Sequence, residues 1–292
     1  VPEGKRQGHF NFDPLGTLAV MGGLSEPLEK SLEKATRLAA STTTMPGVTA
    51  LMADGNAYHA GGASEAQELA AMLATFVAYM RACEAAGLAP DKAVPKIAVS
   101  LAADADQFMT IAKLRAARRL VWRVAEASSA GSSAARVHFT AVSAWRMMPK
   151  RDPWTNILRT TIAAAGAAIG GADAILVLPF TYTLGQTDRF ARRVSRNIQI
   201  VIQEECNLGR VTDPAGGSWY VEKFTDDLAH KAWSLFQEIE AHGGMAAALK
   251  SGFVQDQIAI VAAARAKAIA TGKQELTGVS AFPILGDDGV KC

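Results

Sequence analysis

The stretch "RDPWTNILRTTIAAAGAAIGGADAILVLPF", residues 151 to 180, decides the fold class because it predicts a helix followed directly by a buried strand. The helix is predicted to begin at Asp152, with Pro153 in the first turn, where proline is well tolerated. Its inner stripe is predicted to consist of Trp154, Ile157, Leu158, Thr161 and Ile162. The run "ADAILVLPF", residues 172 to 180, has the length and apolar content of a strand buried on both faces.

Three further runs of the same kind precede this unit. They are "GVTALMAD" (residues 47–54), "KIAVSLAA" (96–103) and "ARVHFTAV" (135–142). Long helical patterns separate them, and the first of these helices has the capping-box spacing of Ser64 and Gln67 at its start. Alternating strands and helices predict an α/β fold built from parallel βαβ units with right-handed crossovers.

After residue 180 the pattern changes to helices alone, which predicts a strand-containing region over 1–180 and an all-helical extension over 181–292. About four strands are predicted, whereas a closed (β/α) barrel contains eight. Half a barrel leaves open edges, and we expect the following apolar side chains to face nothing on its inner side: Leu51, Val99, Leu101, Val137, Ile175 and Val177. The 292 residues are therefore predicted not to be a self-sufficient monomer.

Composition excludes several classes of function. The net charge is +2, from 30 basic and 28 acidic residues, which gives no strong field for nucleic acid. The three cysteines, Cys83, Cys206 and Cys292, form no C-x-x-C pair, and no histidine cluster has ligand spacing, so we predict no metal site. Asp173 interrupts the most apolar window, so we predict no membrane span. The odd, widely spaced cysteines argue against a disulfide framework and predict a reducing, cytoplasmic location.

Two basic clusters and one histidine are weaker candidates for a site. One cluster contains Lys113, Arg115, Arg118 and Arg119, and the other contains Arg189, Arg192, Arg193 and Arg196. Solvated charges and ion pairs are the favoured interpretation of both, and an anion site is the alternative. His138 is predicted to lie in or beside a strand, either as a hydrogen-bonded core residue or as a functional group.

Several long stretches together carry a family resemblance. They are "KLRAARRLVWRV", the opening stretch, "DRFARRVSRNIQIVIQEECNLGRVTDPAGGSWYVEKFTDDLAHKAW" and "QEIEAHGGM". In this order they resemble the acyl-CoA-binding chains of methylmalonyl-CoA mutase, and most of all its small, beta-type subunit. The resemblance runs from about residue 11 to residue 285.

The resemblance implies a (β/α)8 barrel through which an acyl-CoA is threaded, with the second half of the barrel represented by residues 1–180. The family converts methylmalonyl-CoA to succinyl-CoA with adenosylcobalamin, which a separate C-terminal domain holds. The family's cobalamin signature, Asp-x-His-x-x-Gly, is absent here. We therefore expect no cofactor-binding residues on this chain, and adenosylcobalamin on a partner chain.

His59 is the candidate catalytic residue that the resemblance raises. Active chains of the family have a Tyr-His pair followed by four residues and then Gly-Ala. An ungapped match on Gly62 and Ala63 puts Asn56 and Ala57 at the positions of that pair, and His59 falls two residues later. We therefore predict that this chain has no catalytic residue; the alternative, which needs a local two-residue deletion, makes Tyr58 and His59 the active pair.

The resulting hypothesis is a non-catalytic small subunit that forms a heterodimer with a large subunit, which binds both acyl-CoA and cobalamin. The first alternative is a competent acyl-CoA mutase chain that uses Tyr58 and His59 with cobalamin on a separate polypeptide. The second is a stand-alone acyl-CoA-binding module.

Overall fold

The computed structural model describes residues 5–286, which form an α/β fold around one parallel sheet; Cys292 lies outside this range. The strands are β1 (Gln7–Phe12), β2 (Gly47–Asp54), β3 (Ile97–Ala103), β4 (Phe139–Ser143) and β5 (Ala174–Leu176). They are hydrogen-bonded in the order β1-β2-β3-β4-β5, and every neighbouring pair is parallel. The predicted parallel α/β sheet is confirmed, with one strand more than predicted.

The additional strand, β1, lies at an edge of the sheet. Its sequence, "QGHFNF", contains a glycine and alternating polar residues, and most of its side chains are exposed. It has no apolar run that would mark a buried strand, which is why the sequence pattern did not predict it. Its pairing with β2 shifts register between His9 and Phe12, where Asn11 has a φ of 53°.

Helices connect the strands and then follow them. They are α1 (Pro14–Met21), α2 (Leu28–Ser41), α3 (Asn56–Ala60), α4 (Glu65–Ala85), α5 (Pro90–Ala93), α6 (Gln107–Ala127), α7 (Gly131–Ala134), α8 (Thr155–Ile169), α9 (Arg189–Ile200), α10 (Trp219–Ala241), α11 (Met245–Lys250) and α12 (Phe253–Ala270). A π-helical turn, Val201–Glu205, continues α9. Within residues 5–286, no helix combines the length and the apolar character that crossing a bilayer requires.

One face of the sheet packs its apolar side chains against helices. Leu51, Val99 and Leu101 are fully buried in the same core as the apolar residues of α4 and α6. Val137 and Val177 are also buried, so the expectation that these side chains face nothing is wrong for all but the partly buried Ile175. The reason is the alternation of strand side chains, which places these residues on the face that packs against the helices. The opposite row in register combines small or polar residues, such as Ser100, Thr140 and Ala174, with larger ones, such as Val142 and Leu176.

Helix α8 buries a different face from the one predicted. Trp154, Leu158 and Ile162 are 47%, 64% and 40% exposed. The buried positions are small or polar: Asn156, Thr160, Ala163, Ala164, Gly166 and Ala167. A Cβ atom on Gly166 would lie 3.4 Å from Thr110 of α6, so small residues permit this close helix packing, and the large ones remain outside.

Helix α4 is the central helix of the core. Its predicted start is confirmed: the Ser64 hydroxyl accepts from the Gln67 N–H, and the Gln67 side chain accepts from the Ser64 N–H. Glu68 in its first turn is fully buried and accepts from Lys113 Nζ at 2.6 Å and from the Ala102 N–H at 2.7 Å. This one carboxylate therefore joins α4, α6 and β3.

A second buried carboxylate, Asp13, fixes the turn after β1. It caps α1 by accepting from the Gly16 N–H at 2.8 Å, and it also accepts from the Tyr79 hydroxyl of α4. Burial raises the pKa of Asp13 to about 6, although the hydrogen bonds from Tyr79 and Gly16 act in the opposite direction.

Asp13→Asn tests this raised pKa, since asparagine can still cap the helix. A carboxyl whose folded-state pKa is raised contributes stability that is present below its ordinary pKa and is lost as pH rises through about 6. Between pH 4 and pH 7 we expect the free energy of unfolding of the wild type to fall relative to the variant, by on the order of 2 kcal/mol. Urea denaturation at several pH values measures this, with Asp106→Asn, an exposed N-cap of α6, as the control. A difference that does not change with pH would contradict the assignment.

Candidate functional site

The candidate site lies where the strands β2, β3 and β4 end. The chain leaves β2 through Gly55 into α3, leaves β3 at Asp104, and leaves β4 through a short turn that contains Arg146. The carboxyl ends of parallel strands meet at one edge of a sheet, which is where barrel enzymes place their active sites. A cavity of 400 Å³ opens here, and its wall includes Glu65, Asp104, Arg146, Arg159 and Arg265.

Arg146 holds His59 in place. Its Nη2 lies 2.7 Å from His59 Nε2, and its Nη1 donates to the carbonyl oxygens of His59 and Ala63, both at 2.9 Å. The same guanidinium lies 3.4 Å from Glu65 and 3.7 Å from Asp104. Arg146 therefore fastens the turn after β4 to the segment after β2.

This contact determines the tautomer of His59, and burial keeps the ring neutral. A guanidinium only donates, so His59 Nε2 must be the acceptor, and the ring proton is on Nδ1. Burial, followed by the positive charges of Lys113, Arg146 and Arg265, holds the pKa of His59 far below its usual range. His59 is 2% exposed. It is a neutral, buried imidazole whose Nε2 lone pair is already occupied.

Tyr58 points away from His59. Successive residues of a helix are about 100° apart around its axis, so the two side chains of α3 lie in different surroundings. Tyr58 is 4% exposed, and burial, followed by the negative charge of Asp13, raises the pKa of its hydroxyl. The structure does not bring the Tyr58 hydroxyl and the His59 imidazole together at one cavity: Tyr58 lines a separate one of 190 Å³ with Ala57.

The positions that the resemblance assigns to the catalytic Tyr-His pair contain Asn56 and Ala57. Asn56 Nδ2 donates to Asp54 Oδ1 and to Ser100 Oγ, both at 2.7 Å, so its amide belongs to the end of the sheet. Ala57 presents only a methyl group. Helix α3 begins at Asn56, directly after Gly55, and the structure has a continuous helical turn through Ala60.

Helix α12 covers the loop that follows His59. Gly62 has a φ of 103°, and a Cβ atom there would lie 2.6 Å from the Cβ of Ala262. Gln67 Nε2 of α4 also donates to the carbonyl of Gln257 at 2.9 Å. This close approach brings Arg265 of α12 to the wall of the cavity that Arg146 lines.

The ion-pair prediction for the two basic clusters is confirmed for some of their residues and wrong for others. Arg115 pairs with Asp213 and Glu222, Arg118 with Asp173, and Arg119 with Asp226, which confirms the ion-pair interpretation for those three arginines. Lys113 is an exception because it is buried against Glu68 rather than solvated. The four arginines of α9 have no carboxylate within ion-pair distance in residues 5–286, so the prediction that they pair with acidic residues is wrong for that range.

His138 lies directly beside β4, and its ring stacks on the ring of His9 with centroids 4.3 Å apart.

Sequence analysis missed most of the residues around His59. Glu65, Asp104, Arg146 and Arg265 were not singled out. A usable signal existed for two of them, since Asp104 and Arg146 closely follow predicted strands and the ends of parallel strands converge. Arg265 offered no such signal because it lies on a late helix.

The residues at the strand ends do not fit a corrinoid ligand. His59 is the histidine nearest these ends, and its Nε2 is already engaged by Arg146. His230 and His242 lie on or at the end of α10, away from the cavity lining. The part of the chain that the structure describes also contains no group of three or more histidine, cysteine, aspartate or glutamate residues able to hold a metal ion.

Comparison with known proteins identifies relatives along the whole chain. A family model described as methylmalonyl-CoA mutase matches residues 1–288. The methylmalonyl-CoA mutase small subunit of Streptomyces virginiae is 51% identical over 98% of this chain and 46% of that protein. The small subunit of Propionibacterium freudenreichii subsp. shermanii is 40% identical over 95% of this chain and 43% of its own length. The large subunit of Streptomyces virginiae is 33% identical over 99% of this chain and 40% of its own length. The chain thus spans less than half the length of these curated relatives.

Gly62→Ala tests the docking of α12. A side chain at positive φ costs about 1–2 kcal/mol, and the clash with Ala262 adds about 1–3 kcal/mol of overpacking. We expect a lower melting temperature and faster hydrogen exchange in α12. Gly87→Ala is the matched control, because Gly87 also has positive φ but a Cβ atom there would meet nothing within 4 Å. Equal losses in the two variants would show that the contact with Ala262 contributes nothing.

Proposed function

The chain belongs to the methylmalonyl-CoA mutase family, and on that premise we propose that it is part of a non-catalytic small subunit. The family's reaction is the isomerisation of methylmalonyl-CoA to succinyl-CoA, and the enzymes are cobalamin-dependent. In the proposed arrangement this chain forms a heterodimer with a large subunit. The large subunit binds the acyl-CoA and the cobalamin, and this chain contributes no catalytic residue.

The observation that carries the proposal is the combination of Ala57 with the occupied Nε2 of His59. The methyl group of Ala57 cannot donate a hydrogen bond to a thioester carbonyl at the position that matches the family's histidine. His59, two residues later, accepts from Arg146 and is neutral and buried. Neither side chain can serve as the acid that the rearrangement uses, which speaks against Tyr58 and His59 as an active pair.

The partner assignment rests on the relatives. The Streptomyces virginiae proteins include one named the small subunit and another named the large subunit, and this chain is more similar to the former. A cobalamin held by the large subunit is part of this proposal. A cytoplasmic location is part of the same proposal.

We also propose that residues 1–180 form half of a (β/α)8 barrel, with residues 181–292 as a helical extension on it. The five strands run parallel in sequence order, as they do in such a barrel. Phe10 of β1 and Leu176 of β5 are 61% and 53% exposed on the two edge strands. Further strands from the remaining length of a small subunit would cover these edges.

Separation of the subunits tests the cofactor assignment. The full-length small subunit and its large subunit are co-expressed, purified as a complex and then separated under mild denaturation. We expect the corrinoid absorbance to remain with the large subunit, and the small subunit alone to show no mutase activity. Corrinoid retained by the small subunit on gel filtration would overturn the assignment.

His59 variants test the non-catalytic role within the intact complex. We expect His59→Ala to lower the free energy of unfolding by about 1.5–3 kcal/mol, because Arg146 loses a buried acceptor, while kcat changes by less than about threefold. His59→Gln retains an acceptor and should recover stability. Loss of a hydrogen bond made in the transition state lowers kcat by about 100-fold or more. A loss of that size with assembly intact would instead support Tyr58 and His59 as the active pair.

A further inference from the structure

Arg265 is a cation without a partner among residues 5–286. It lies on α12 and lines the 400 Å³ cavity at the strand ends. Its Nη1 is buried and donates to no hydrogen-bond acceptor in this range, and no carboxylate of the range lies within ion-pair distance of it. A buried donor without an acceptor is costly, and more so when it is charged.

Arg146, another arginine of the cavity wall, is also positively charged and therefore cannot pair with Arg265. Burial and then the positive charge of Arg265 lower the pKa of Arg146, which places the two guanidinium groups in one electrostatic environment. Arg146 already donates to His59, Ala63 and Glu65. The two cations thus share a cavity in which Arg146 has its acceptors, whereas Arg265 Nη1 finds none in the described part of the chain.

A third arginine of the cavity wall is satisfied within the chain. Arg159 donates to Asn156 Oδ1 at 2.9 Å and to the Thr277 carbonyl at 2.7 Å, which fastens the segment after α12 to α8. This contact closes one side of the cavity and leaves Arg265 Nη1 as a donor without an acceptor among the described residues. The wall also carries the carboxylates of Glu65, Asp104, Asp106 and Glu275, so an anion would be held by the Arg265 guanidinium and not by a generally positive lining.

We propose that this cavity binds a small organic carboxylate, whose oxygen accepts from Arg265 Nη1 and whose charge pairs with the Arg265 guanidinium. Glu65 and Asp104 lie 3.4 and 3.7 Å from Arg146, so the second negative charge of a phosphate would be repelled, and a monoanion is preferred. The site is distinct from the position that matches the family's catalytic pair, because Ala57 lines another cavity. It depends on residues of this chain alone and holds whether or not the subunit is catalytic.

Acetate is the probe, added as its sodium salt at constant ionic strength against sodium chloride, to the full-length small subunit in its complex. At about tenfold above its dissociation constant, a ligand of the folded state raises the melting temperature of a domain of this size by about 4 °C. We expect such a shift for acetate, a smaller one for phosphate, and heat of acetate binding in isothermal titration.

Arg265→Met keeps the aliphatic stem and removes the charge. We expect this variant to lose the acetate shift and to melt no lower than wild type without acetate, since the substitution breaks no ion pair of the described chain. Arg265→Lys retains a charge without the planar fork and should bind acetate about tenfold more weakly. The control is Arg37→Met, an exposed arginine of α2 that pairs with Glu33.

Three outcomes would overturn the proposal. One is an acetate shift that persists in Arg265→Met, which would place the anion elsewhere. Another is a shift no larger than that of chloride in the wild type. The third is tighter binding of phosphate than of acetate, which would contradict the carboxylate assignment. If Arg265→Met does not fold, the tenfold weakening expected for Arg265→Lys decides the matter.

Discussion

The buried ion pair of Glu68 and Lys113 is the interaction on which the rest of the structure depends. Both side chains are withdrawn from solvent, and the second carboxylate oxygen of Glu68 accepts from the Ala102 N–H. Desolvating two charges is expensive, so such a pair persists only with good geometry and further hydrogen bonds, and losing one partner costs about 3–5 kcal/mol. Because its members lie on α4, α6 and β3, it sets the position of two helices relative to the central strand.

The geometry of the candidate site depends on the positions of α4, α6 and β3 that this ion pair sets. Gly55 lies directly above Glu68: a Cβ atom there would be 2.9 Å from Glu68 Cγ and 2.8 Å from Leu101. Only glycine allows the chain to leave β2 at this point and begin α3 at once. The immediate start of α3 places Ala57 and His59 on different sides of a single helical turn. Arg146 then hydrogen-bonds this turn to the segment after β4. The packing of the sheet and its helices therefore also buries His59 and keeps its imidazole neutral.

The proposed loss of catalysis and the preserved scaffold are compatible in physical terms. A hydrogen bond to a reacting carbonyl depends on one donor at one position, so a methyl group at Ala57 removes it without disturbing the core. The scaffold depends on many contacts that are spread over the core of the strands and helices. A subunit can therefore lose the chemistry and keep the shape that a partner recognises. Arg265, whose Nη1 has no acceptor among residues 5–286, is the group at the strand ends that the proposed carboxylate would contact.

The sequence by itself determined what local patterns control. Four of the five strands, the capping box of Ser64 and Gln67, and the family resemblance all follow from short-range signals or from continuous stretches of residues. The tertiary structure decided the rest, because it depends on which surfaces meet. The edge strand β1 lacks a buried run, and α8 faces inward with small residues since α6 approaches it closely. The tautomer of His59 follows from Arg146, 87 residues away in the chain, and its neutral state follows first from burial. The unsatisfied donor of Arg265 lies at the cavity because α12 docks against Gly62. No spacing in the sequence records these contacts, since each joins segments that folding alone brings together.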